Sequence, residues 1–158
     1  MSYNRSVINC LSFLTLLYFF FGFFINENSA GAGGFDGDLS LIWKNLQLIK
    51  SGILQNLDSP LYNDSRPPLA YIIHAIFNPF TENLELFRFS VLAISLTVPA
   101  LLYFSIKANY PNVEKNLILA FSLIITLSPY FRTTAYWGLN ENYGLIFLIL
   151  TPSFFKQF

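Results

Sequence analysis

Val7–Ile25 carries no charged residue, and its most polar member is Asn9. At ~1.5 Å rise per residue, a helix of that length crosses a ~30 Å hydrocarbon core. The run predicts a first transmembrane helix, so the rest of the chain has to fold in or against lipid. A cleaved signal peptide is the rival reading, because Arg5 precedes the run and Ser29, Ala30, Gly31 and Ala32 follow it. The run is longer than the ~7–15 residues of a signal-peptide core, and further apolar runs follow.

Those runs are Phe89–Ile106, Asn116–Phe131 and Asn140–Phe155; the third is short and the fourth starts at a carboxylate, Glu141. With 11% of residues charged, against roughly 25% in a soluble domain, the chain cannot clothe a water-exposed globule. The expected fold is an all-α membrane protein with about four transmembrane helices and interfacial helices in its first outer loop. Nine basic and nine acidic residues leave no net charge, which argues against nucleic acid as a partner. Cys10 is the only cysteine, so there is neither a disulfide nor a thiolate metal cluster to expect.

Charge distribution orients the spans. Pro68–Phe80 is apolar but too short to cross, and suits an interfacial or re-entrant helix. With one crossing for each longer run, Arg5, Lys107, Lys115 and Lys156 share one side with the single acid Glu114. The positive-inside rule makes that side cytoplasmic, with the N-terminus inside and the protein in the plasma membrane. Glu27, Asp36, Asp38, Asp58, Asp64, Glu82, Glu85 and Glu141 then lie outside or at the outer interface.

The long outer loop, Asn26–Arg88, holds most of the residues with chemistry. It opens with the glycine-rich stretch SAGAGGFDGD, and residues 39–54 follow with helical recurrence of Leu39, Ile42, Trp43, Leu46, Ile49 and Ile53. Arg66 precedes two prolines, which forbid helix before them and permit one after. Asp36 and Asp38 form a D-x-D pair, which in soluble nucleotide-sugar transferases holds a divalent metal, although the alternating strand and helix context of those enzymes is absent. The plainer reading makes Asp38 the N-cap of the helix beginning at Leu39. Glu141 starts an apolar span, where an ionised group is costly unless it faces protein or water, or answers the helix dipole. Arg88 and Arg132 stand at outer helix ends, as headgroup anchors or, together, as ligands for a phosphate. His74 has no metal-ligand neighbours at suitable spacing and reads as a packed, hydrogen-bonded histidine.

The collinear order of FDGD, the helix LSLIWKNLQLIKSG, RPPLAY, LFRFSVLAISL around Arg88, and SPYFRTTAYWGLNENYGLIFLIL with Glu141 resembles the GT-C superfamily of membrane glycosyltransferases. Within it, the chain looks like the protein O-mannosyltransferases and lipid A 4-amino-arabinose transferases. Many relatives carry adjacent acids in the first loop, whereas here Leu39 follows Asp38 and Asp36 is offset. The module of that family has further spans, so the chain looks like its N-terminal part.

The resemblance implies transfer of a sugar from a polyprenyl-phosphate donor to a lipid, glycan or protein acceptor at the outer face of the membrane. It assigns Asp38, with Asp36 second, as the base that takes the acceptor proton. Arg66, Arg88 and Arg132 become cations for the donor phosphate, and Glu141 orients the acceptor or one of those arginines. No cofactor is evident, and a divalent metal is left open. The alternatives are a small non-enzymatic multi-span membrane protein or an inactive truncated fragment.

Overall fold

The computed structural model describes residues 5–31, 33–64 and 67–155, and among them every regular element is helical. Helix α1 spans Arg5–Phe24, as the uncharged run predicts. Leu11, Phe13, Leu17 and Phe21 stay exposed on it, while Phe19, Gly22 and Phe23 face protein. A helix apolar around its whole circumference has no face for water and suits a lipid surround.

The second long rod is made of α5 (Leu84–Ser95) and α6 (Thr97–Asn109), which run on as one apolar helix of 26 residues. Pro99 lies inside it and cannot donate to the carbonyl of Ser95. The rod continues around it, with the Thr97 hydroxyl donating to the Ile94 carbonyl at 2.6 Å and the Leu96 N–H to the Leu92 carbonyl at 3.1 Å.

The continuous helix expected over 116–131 is instead broken. Helix α7 (Lys115–Leu123) tightens into a 3₁₀ turn (Ile124–Leu127), the chain bends by 71°, and α8 (Pro129–Trp137) leaves in a new direction. The cause is local, since the residue before a proline is pushed out of the helical region. Ser128 is extended there, and its hydroxyl accepts from the Phe131 N–H while Pro129 fills the first helical position. By length and composition two helices can cross a membrane, or three if the bent pair is one span; the last helix, α9 (Glu141–Phe155), is a shorter apolar one.

Helix α2 covers Ser40–Ser51, with Ile42, Asn45, Leu46 and Ile49 buried against α4 (Leu69–Phe77) and the core. It stops at Gly52, short of the expected 54, and a single-turn α3 (Ile53–Asn56) follows. Helix α4 is likewise shorter than the expected 68–80. Asn78 turns extended ahead of Pro79 and accepts the Phe80 N–H through its side chain at 2.9 Å.

Helix α8 lies at the centre. Every residue from Phe131 to Trp137 is buried, and the helix touches α1, α5, α9 and the turn before α2. Tyr136 packs against the rings of Phe19 and Phe23 and donates its hydroxyl to the Phe19 carbonyl at 2.6 Å.

Gly138 ends α8 in the left-handed region, at φ +71°, and lets the chain turn directly into α9. A Cβ there would sit 2.9 Å from Cε1 of the buried Phe87. Gly138→Ala should therefore lower stability by at least ~1–2 kcal/mol, read as a lower unfolding midpoint in detergent. Gly144→Ala, which meets open space inside α9, should leave that midpoint unchanged or raise it.

Candidate active site

After α1 the chain turns sharply at Asn26, a residue type that tolerates its φ of +55°. Two arginines clasp the segment that follows. Arg88 of α5 donates to Asn26 Oδ1 at 2.8 Å and the Tyr136 carbonyl at 3.0 Å, and it pairs with Glu85 at 3.0 Å. Its guanidinium also lies between the rings of Phe23 and Trp137. Arg132 of α8 pairs with Glu27 at 2.7 Å, donates to Ser29 Oγ at 3.4 Å and lies over Tyr18. Trp137 Nε1–H donates to the Glu27 carbonyl, and the Ala30 N–H donates to Thr133 Oγ1. Both arginines are almost wholly buried. Nε of Arg132 finds no partner.

From this clasp the chain enters a π-helical turn, Phe35–Leu39, in which the Leu39 N–H reaches the Gly34 carbonyl at 3.0 Å. Gly33 is required at its start, because a Cβ there would come within 2.7 Å of the Gly37 backbone. The turn corrects the N-cap expectation for Asp38. It lies inside the turn, α2 begins without a side-chain cap, and Asp38 Oδ2 accepts from the upstream Gly33 N–H at 3.1 Å.

Asp38, half-buried, and Glu141, exposed in the first turn of α9, line the same cavity, of about 640 Å³. Ser128, Thr133, Thr134 and Asn142 supply its other polar lining, and Phe131, Leu139 and Leu145 its apolar wall. Asn142 is buried and fixed, donating to Ser95 Oγ at 2.9 Å and to the Phe131 carbonyl at 3.3 Å. Chemically, the cavity offers two carboxylates and several hydroxyls beside an apolar wall.

The other expected site residues do not join them on that lining. Asp36 is exposed, and its carbonyl accepts from the Ser40 hydroxyl. Arg88 and Arg132 stand within the protein wall rather than on the cavity surface. Arg66 lies outside the described residues. Among the described residues, no three His, Cys, Asp or Glu side chains converge as a metal site. Sequence reading missed Thr133, Thr134 and Asn142. The available signal was their place in SPYFRTTAYWGLNENYGLIFLIL, the last of the motifs that carry the resemblance.

No protein-family model, curated protein or solved structure matches the chain. Any function must therefore be argued from this geometry and from the motif order.

His74 is buried, as its sequence context suggests, with Nε2 against the Tyr143 hydroxyl at 2.5 Å and Nδ1 against the Asn78 amide at 2.9 Å. The amide can only donate, so Nδ1 accepts and the proton of neutral His74 sits on Nε2. Burial lowers its pKa from the usual 6.5 to about 4. The unfolded chain then binds the extra proton between those values, so stability is full above pH 6.5 and falls as pH drops toward 4. The loss should reach roughly 3 kcal/mol. His74→Gln should flatten that part of the profile of unfolding midpoint against pH.

Proposed function

We propose that the chain is a membrane glycosyltransferase, or the N-terminal part of one, that moves a sugar from a polyprenyl-phosphate donor to an acceptor at the outer face of the membrane. The observation that carries the reading is the convergence on one cavity of Asp38 and Glu141, the two acids singled out by the resemblance from opposite ends of the chain. In this reading the bundle crosses four times with its N-terminus in the cytoplasm, the bent pair α7–α8 and the short α9 each counting as a span. The cavity then opens on the outer side.

A hydroxyl acceptor is a poor nucleophile until a base takes its proton. Asp38 is held by the Gly33 N–H at one oxygen, and we assign the base role to it, with Asp36 as the second choice. As the acceptor oxygen bonds to the anomeric carbon, the bond from that carbon to the phosphate oxygen breaks. The pair of electrons leaves with the lipid phosphate, whose charge needs a cation already in place. Arg88 is fully engaged by Glu85, Asn26 and Tyr136, so we give it the task of holding the loop. Arg66, next to the PPL element, is the phosphate ligand of this reading; Arg132, buried in its pair with Glu27 and off the cavity surface, holds the loop as Arg88 does. Glu141 orients the acceptor hydroxyl.

The test is transfer from radiolabelled polyprenyl-phosphate sugars in membranes containing the protein. Asp38→Asn should lower transfer by about 10²–10⁴-fold, the usual worth of a general base, at unchanged expression, and Glu141→Gln should lower it less. Undiminished transfer by Asp38→Asn would remove Asp38 as the base. The non-enzymatic alternative, in which these charges serve only packing, predicts that no sugar donor is consumed by the wild-type protein either.

A further inference from the structure

A second concavity, of about 550 Å³, lies between α6 and α7. The Arg5–Glu114 ion pair, at 2.8 Å, ties the start of α1 to the residue before α7. The Lys115 end of the groove is thereby near the start of α1, while its Leu123 end lies two residues from Ile125 on the wall of the Asp38 cavity. Pro99, Tyr103 and Phe104 form one wall, and Leu119 and Leu123 the other. From Lys115 to Leu123 it runs ~12 Å along α7.

Its charged end is unusual. Lys115 is the first residue of α7, where the helix dipole already presents positive charge and disfavours a cation. Glu114 does not relieve this, since it makes no capping hydrogen bond and its carboxylate is taken by Arg5. Lys107 adds a further positive charge at the same end, its ammonium 5.9 Å from the Tyr103 ring centre. Two cations and an uncapped helix start thus sit over an apolar slot. This arrangement is complementary to a molecule with an anionic head and a hydrocarbon tail.

We propose that this groove holds one anionic phospholipid of the surrounding bilayer, with its phosphate at Lys115 and the start of α7, and an acyl chain between α6 and α7. Lys107 supplies the second charge. The site is independent of sugar transfer and stands whether or not that reading holds.

Native mass spectrometry of the whole protein released from nanodiscs tests the idea, using phosphatidylglycerol and phosphatidylcholine with identical acyl chains. Wild type should retain one phosphatidylglycerol in preference to phosphatidylcholine. Each of Lys107→Gln and Lys115→Gln should cut that preference roughly fivefold, as expected for a cation near a lipid surface. Lys44→Gln, remote from the groove, should leave it intact. Ala100→Leu, which fills the slot without changing charge, should reduce retention of both lipids. Equal retention of the two lipids by wild type would overturn the proposal, as would a preference that survives Lys107→Gln with Lys115→Gln. Displacement of phosphatidylglycerol by equimolar polyprenyl phosphate, or a lipid-free dimer disrupted by Ala100→Leu, would give the groove to another occupant.

Discussion

Two guanidinium groups, those of Arg88 and Arg132, are buried where α1 ends and the first loop begins. A charge taken out of water is costly unless it is paired and its donors are satisfied. The chain meets that condition by folding the loop back on itself. Glu27 comes to Arg132, Asn26 to Arg88, and the backbone around Ser29 and Ala30 to α8. Remove either partner of the Glu27–Arg132 pair and the other is left uncompensated, a loss of ~3–5 kcal/mol for a buried pair. Stacking of Arg88 between Phe23 and Trp137 joins the same point to α1 and α8. The loop is a fixed part of the bundle, although its glycine content alone suggests a hinge.

The cavity follows from that clasp. Because residues 26–30 are held on α8, the turn at 35–39 lands beside Thr133 and Thr134, and Asp38 comes to the same space as Glu141. The bend at Ser128 is equally necessary. A straight continuation of α7 would carry Phe131–Trp137 along the α7 axis and away from the core, whereas the 71° turn brings all seven into it. Gly138 then reverses the chain so that α9 starts at the cavity with Glu141.

Much of the helical framework was legible in the sequence because lipid imposes a length and a polarity that a single run of residues reveals. Val7–Ile25, all but its last residue, and Phe89–Ile106 fall within the two helices long enough to cross. The stripe Ile42, Leu46 and Ile49 was likewise visible, since helical period is a local property. The site was less legible. That Glu27 pairs with Arg132 depends on a contact over 100 residues apart, and neither charge announces its partner. Nothing local in TTAYW shows that Thr133 meets the Ala30 amide or that Thr134 packs in the core. The turn at Asp38 replaces the expected cap because Gly33 lets the Gly37 backbone approach closely, which the helical period of residues 39–54 does not reveal. Asp38 and Glu141 were chosen from motif order, and their shared cavity is a tertiary result.

Hydrogen exchange of the loop amides, measured on the protein in lipid nanodiscs, bears most directly on the clasp. The account predicts protection across residues 26–39 comparable to that of α2, and its selective loss in Arg132→Met while α2 and the long rods stay protected. Exchange of 26–39 at free-chain rates in the wild type, or protection that Arg132→Met leaves unchanged, would contradict it.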